Sequence, residues 1–196
     1  MKTLSIAIGL LAALPLAGCI SFGATPPDTL MKLEATTQVP VGQVQNSATA
    51  KSIVIGVPVT PQSLATQRVP VATSATSVAY VKDAQWTEPP SRLFARVVSD
   101  TVSARTGRVV LSPVQAVAEA NDDLEGELRT FGLDAATREA VVTFDGALQR
   151  AGQPATEKRR FEARVPVTAI DAASTGPALN QAANQVAAEV ADWIGR

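Results

Sequence analysis

The feature that most restricts the fold is a two-residue alternation between positions 140 and 167. From Ala140 to Gln149, Val142, Phe144 and Leu148 fall on one side, with Thr143 and Asp145 on the other. Ala151-Gly152-Gln153-Pro154 then supplies turn residues. From Glu157 to Val167, Arg159, Phe161, Ala163, Val165 and Val167 share one side, while Lys158, Arg160, Glu162 and Arg164 share the other. A period of two belongs to a half-buried β-strand. Two such strands joined by a short turn present one apolar face, and that face must be covered. The last stretch of the chain predicts the cover. Leu179, Ala182, Ala183, Val186, Val190, Trp193 and Ile194 recur at helical spacing. Gly176-Pro177 is expected to open this helix, with Ser174 or Thr175 as its cap.

The remaining elements follow the same logic. Thr29 to Ala35 is expected as a first strand without clean alternation, and Thr36 to Ala50 as a loop. Ser52 to Val59 is a buried run of branched residues ended by Pro58 and Pro61. Arg68 to Thr73 and Ser77 to Ala84 form a hairpin through Ser74-Ala75-Thr76. Pro89 and Pro90 start a helix with Leu93, Phe94, Val97, Val98, Thr101 and Val102 on its buried face and Gly107 as its C-terminal cap. Val109 to Leu111 is a short strand, Ser112-Pro113 starts a turn or brief helix to Ala120, and Leu124 to Phe131 is a strand with a bulge or end at Gly132. Together these predict one α/β domain, a mixed and mostly antiparallel sheet packed by two long amphipathic helices near 89–106 and 175–195. Apolar stripes do not say whether the helices share a face of the sheet.

The N-terminus carries an address. Lys2 is the only charge before Asp28, and Leu4 to Leu14 is almost wholly apolar. This is the pattern of a secretory signal, too short to span a bilayer and broken by Pro15. Leu16-Ala17-Gly18-Cys19 follows, and Cys19 is the single cysteine of the chain. These four residues resemble the lipobox of bacterial lipoproteins. The resemblance implies cleavage after residue 18, a diacylglyceryl group on the Cys19 thiol and an N-acyl chain, such as palmitate, on its amino group. No other cofactor is implied. More than one acyl chain on Cys19 holds a protein stably on a membrane. The expected organisation is a signal peptide at 1–18, a lipidated tether at 19–28 kept extended by Pro26-Pro27, and a domain at 29–196. Ile20 and Ser21 follow the cysteine. Lipoproteins retained at the inner membrane often carry Asp there, so the periplasmic face of the outer membrane is expected ahead of the inner membrane.

Composition removes several functions. Histidine is absent, and the lone cysteine can form no disulfide framework. Ser-His and Cys-His catalysis and imidazole metal ligation are therefore excluded. The formal net charge is −1, and losing Lys2 with the signal makes it one unit more negative. No basic stripe favours nucleic acid. Asp122-Asp123 with Glu125 and Glu127 could hold a divalent metal or act as a general acid, but no calcium-loop spacing is present, and adjacent acids before a strand are usually a solvated turn. No catalytic, cofactor-binding or metal residue is therefore assigned. Lys158-Arg159-Arg160 could meet anionic headgroups, although a solvent-facing row suits its alternation better. Trp86 suits a packing role over a ligand contact. The uncharged stretch from Val69 to Val81 suits either strand addition or a covered hairpin.

Several segments together resemble a family. They are the lipobox Leu16 to Cys19, the strand Ile53 to Val57, Pro61-Gln-Ser-Leu64, Arg68-Val69 and Tyr80. The block Ala84-Gln-Trp86-Thr-Glu-Pro-Pro-Ser-Arg-Leu93 leads into a helix, and the meander Leu124 to Val167 and the alanine-rich last helix complete the set. The pattern is similar to that of the ABC-type transport auxiliary lipoproteins, which serve MCE-domain lipid transport systems. This resemblance implies a non-enzymatic, membrane-anchored accessory facing the periplasm. Its partners would be an MCE-domain protein and, through it, a permease and an ATPase. A homo-oligomer is compatible with this role. The alternative is a structural, pilotin-like lipoprotein of an outer-membrane secretion or assembly complex.

Overall fold

The computed structural model describes residues 27–116 and 122–195. The signal segment 1–18, Cys19, most of the tether 19–28 and the stretch approaching Ala120 lie outside them. The described elements run β1 (Ser52–Ile55), a 3-10 turn (Gln62–Leu64), β2 (Arg68–Ser74), β3 (Ser77–Gln85) and α1 (Pro90–Thr106). They continue as β4 (Val109–Leu111), β5 (Asp122–Asp134), β6 (Glu139–Arg150), β7 (Thr156–Pro166) and α2 (Ala172–Ile194).

β5 is the hub of the sheet. One edge pairs antiparallel with β6 along its whole length, and β6 pairs antiparallel with β7. The other edge is shared. β1 lies parallel to it at Asp122–Leu124, β2 lies parallel to it at Leu133 and Asp134, and Val59 bridges Glu127 between them. β4 flanks β1, and β3 flanks β2. The chain is thus a single α/β domain with a mixed sheet whose longest ladders are antiparallel.

Both helices lie on one face. Phe144 and Phe161 sit directly opposite each other on β6 and β7, their rings 6.4 Å apart. Phe94 of α1 is 5.3 Å from Phe144, and Trp193 of α2 is 5.5 Å from Phe161. The helices also pack on each other, so the domain has two layers. Gly126 and Gly146, an opposed pair on β5 and β6, make room for these rings. A Cβ on Gly126 would lie 2.5 Å from the Phe144 ring, and one on Gly146 would lie 3.2 Å from the Trp193 ring. Gly107 closes α1 in the left-handed region at φ 70°, where glycine carries no steric penalty.

The structure alters four local expectations. The buried run expected from Ser52 to Val59 ends as a strand at Ile55, with Val57 and Val59 exposed. α2 begins at Ala172, before the expected Gly176-Pro177. Asp171 caps it by accepting the Ser174 N–H at 2.8 Å, and Thr175 donates its hydroxyl to the Asp171 carbonyl. An aspartate is a strong cap, and here it outweighs Pro177, which falls inside the helix and removes the bond to the Ala173 carbonyl. The stretch from Thr29 to Ala35 is no strand, since only Met31 bridges, in parallel, to Trp86. The bulge of β5 lies between Leu128 and Thr130, with Gly132 still paired to Val141. The extra residue brings Leu128 and Phe131, three apart, onto the same buried face. This is why the alternation of that strand reads as imperfect.

The C-terminal end of α2 is held by two arginines. Arg108 pairs with Asp122, both buried, and donates to the Ile194 carbonyl at 3.2 Å. Arg150 donates to the Ile194 and Trp193 carbonyls at 3.2 and 3.1 Å, and its Nε reaches Glu157 at 2.7 Å. Helix ends leave such carbonyls without intrahelical partners, and positive charge there complements the helix dipole. Arg108→Met leaves the Asp122 carboxylate buried without its charge partner. It is expected to lower stability by about 3–5 kcal/mol, read as a fall in the urea unfolding midpoint. The double variant Arg108→Met/Asp122→Leu should recover much of that loss.

Candidate functional site

Cys19 lies outside the described residues, but the segment by which the chain enters the domain does not. Met31 donates its N–H to the Gln85 carbonyl at 2.8 Å and accepts from Thr87 N–H at 3.0 Å. Leu33 is buried, and the strap from Glu34 to Thr36 then runs along α2. Asn180 accepts from Glu34 N–H at 2.9 Å. Asn184 accepts from Thr36 N–H at 2.8 Å and from the Thr36 hydroxyl at 3.1 Å, and donates to the Glu34 carbonyl at 2.9 Å. A side-chain amide carries both donors and an acceptor, so two asparagines one helical turn apart can satisfy an extended backbone as a neighbouring strand would. Asn184 is only 8% exposed, which makes this a buried polar clamp. Sequence reasoning passed over it. The visible signal was an Asn-x-x-x-Asn pair beside an alanine-rich apolar stripe.

A groove of about 660 Å³ runs between α1, the loop after the strap and the β1–β4 corner. Ile55, Val57 and Val110 line one wall, and Arg92, Arg96 and Asp100 line the other. Arg96 bonds Glu88 at 2.6 Å, and that hydrogen bond holds the Glu88 carboxyl below the usual range. Burial pushes Asp100 up. The chain has no histidine, and the groove's lining contains no nucleophile–base pair.

The acids Asp122, Asp123, Glu125 and Glu127, read from the sequence as a solvated turn and strand start, lie within β5 and are divided by its pleat. Asp122 turns to the helix side and is neutralised by Arg108. Asp123 and Glu125 are exposed on the opposite face. Burial raises the pKa of Asp123; burial, and then the charge of Asp123, raise that of Glu125. Glu127 pairs with Arg129 at 3.4 Å. Among the described residues no group of three or more acids is placed to hold a metal ion.

The basic row is divided in the same way. Arg160 grips Asp145 bidentately at 2.6 and 2.7 Å, and this bond is the main cause holding Asp145 below the usual carboxylate range. Arg129 also reaches Asp145 at 3.3 Å, and Arg164 joins Glu162 at 2.8 Å and Glu139 at 3.3 Å. The open face of β5–β7 is therefore a lattice of ion pairs. Arg159 lies on the other side, its guanidinium 4.8 Å above the Phe161 ring at the exposed end of β7. Trp86 is fully buried and meets Phe131 edge-on at 5.5 Å, so it packs the core and touches no partner surface.

A family model described as the ABC-type transport auxiliary lipoprotein component matches residues 32–191. The fold is similar to that of a Xanthomonas campestris protein under the DUF330 family model, with a TM-score of 0.69 at 18% identity, covering 85% of this chain and 94% of that one. A second solved structure, of an uncharacterised protein, aligns with a TM-score of 0.64 at 17% identity over 85% and 99% of the two chains. No curated protein matches this chain. With its matched stretch running from the strap nearly to the end of α2, the chain belongs to the family of ABC-type transport auxiliary lipoprotein components.

The clamp has a direct test. Asn184→Ala is expected to cost about 1–3 kcal/mol and to speed hydrogen exchange at the Glu34 and Thr36 amides. Exchange in the β5–β6 ladder should be unchanged at conditions where local opening dominates.

Proposed function

We propose that this protein is a non-enzymatic lipoprotein that serves an MCE-type lipid transport system from the periplasmic face of the outer membrane. Acyl chains on Cys19 hold it there after removal of residues 1–18. An MCE-domain protein is its direct partner, and the permease and ATPase act through that protein. The observation that carries this reading is the family match over residues 32–191, standing directly downstream of Leu16-Ala17-Gly18-Cys19. The absence of histidine and the pairing of the conspicuous charges support a binding role over a catalytic one.

The strap gives the anchor a mechanical continuation. Tension on a tether at Cys19 enters the domain at Met31 and passes to Gln85, Thr87, Asn180 and Asn184 through backbone hydrogen bonds. The groove beside α1 offers an apolar wall facing a charged one, which fits a partner's amphipathic element.

Cys19→Ala is expected to abolish labelling by radioactive palmitate and to release the protein from outer-membrane fractions, with its circular dichroism unchanged. Affinity purification of the native protein should recover an MCE-domain protein, with the permease and ATPase. Persistent labelling of the variant would overturn the lipidation. Recovery of a secretion pore in place of an MCE protein would overturn the transport role.

A further inference from the structure

Exposed apolar side chains gather at one corner of the domain. Of the eight large ones among the described residues, four border the groove beside α1. Val57 lines it, Val41 and Val44 stand between its lining residues Val39 and Gln45, and Val114 stands between Pro113 and Gln115. Apolar residues gathered in this way mark an interaction site, where single scattered ones do not. The patch is also held in place. Gly42, at φ 85°, turns the chain so that the Gln43 N–H reaches the Pro40 carbonyl at 3.2 Å. Gln45 then donates to the Ser103 hydroxyl of α1 at 2.8 Å. Gln115 accepts from the Ser112 N–H and hydroxyl at 3.1 and 3.0 Å, which fixes the turn that carries Val114. Val44 and Val114 are thus 88% and 93% exposed on segments that are pinned beside them.

Charge is missing from the same corner. The segments 36–50, 52–67 and 109–116 contain no charged residue, and all three reach the groove. The groove's charges, Glu88, Arg92, Arg96 and Asp100, all come from α1 and the turn before it. Arg96 is taken by Glu88 at 2.6 Å. Arg92 is exposed and acts on Glu88 only at a distance, with no ion pair of its own among the described residues. We propose that this corner receives one segment of a protein partner, apolar along the side that meets Ile55, Val57 and Val110 and bearing a carboxylate for Arg92. Val41, Val44 and Val114 pack on its flanks. The inference rests on the reading above, by which the segment belongs to the MCE-domain protein. A charged face laid here would lose its water and find no counter-charge on three of the four walls, whereas the centre of a protein interface is poor in charge. A bilayer is a poor occupant. Headgroup surfaces favour Trp, Tyr, Lys and Arg, and the three uncharged segments contain none of these.

The exposed valines allow a test that spares the fold. A benzophenone amino acid is placed at Val44, at Val114 or, as an exposed apolar control away from the groove, at Ile170 of the full-length protein, and intact cells are irradiated. The first two positions are expected to link to the MCE-domain protein and the third is not. In affinity purification, Val41→Glu/Val44→Glu and Arg92→Glu should each lower recovery of that protein by about tenfold or more. Arg92→Lys, which keeps the charge, and Val78→Glu, which adds one on the distant β2–β3 hairpin, should leave most of it. Circular dichroism and the urea midpoint should be unchanged in all four. Linkage from Val44 and Val114 only to lipid or to a second copy of the chain would overturn the proposal. So would full recovery by the Glu variants at the groove while the native chain also recovers the MCE-domain protein, an outcome that leaves the transport role standing. A native chain that recovers no MCE-domain protein would overturn that role and this site with it.

Discussion

The structure depends on the β5–β6–β7 meander having one face that must be buried and one that cannot be. On the inner face stand Leu124, Leu128, Phe131, Phe144, Phe161 and Val165, all buried. On the outer face Arg160 pairs with Asp145 and Arg164 with Glu139 across the strands, and Arg164 also meets Glu162 along β7. A helix laid on that outer face would have to desolvate a lattice of ions, at a cost that good packing rarely repays. Both helices are therefore driven to the same side and must pack on each other as well as on the sheet. The alanines of α2 and the Gly126–Gly146 pair follow from this crowding, because two helices and six aromatic rings share one layer.

This arrangement leaves α2 answerable to three groups of residues at once. Its N-terminal end is capped by Asp171, its middle holds the entering strap through Asn180 and Asn184, and its last carbonyls are taken by Arg108 and Arg150. The strap touches both α2 and the end of β3, so the N-terminal part of the described chain is tied to the core and not to a peripheral loop.

The sequence was most informative where one periodicity acted alone. The two-residue period predicted β6 and β7 within a residue or so, and the helical period predicted the buried face of α1 and its close at Gly107. It was misleading where two signals competed. Gly176-Pro177 looked like a helix start, but Asp171 offered a better cap five residues earlier. Gly132 looked like the bulge, but the ladder absorbs its extra residue at Arg129. Asn184 drew no notice, because an amide amid alanines has no meaning until a backbone is laid beside it.

The sequence alone determined the class of fold, the family resemblance later matched by residues 32–191, and the exclusion of histidine and disulfide chemistry. Those follow from composition and local period, which are properties of neighbouring residues. Tertiary structure decided that the helices share a face, that Asp122 and Glu125 point apart, that Arg108 meets Asp122, and that Asn184 holds the entering strap. Each of these depends on contacts between segments far apart in the chain. A stripe or a charge declares that it needs a partner, and only the folded chain says which one it has.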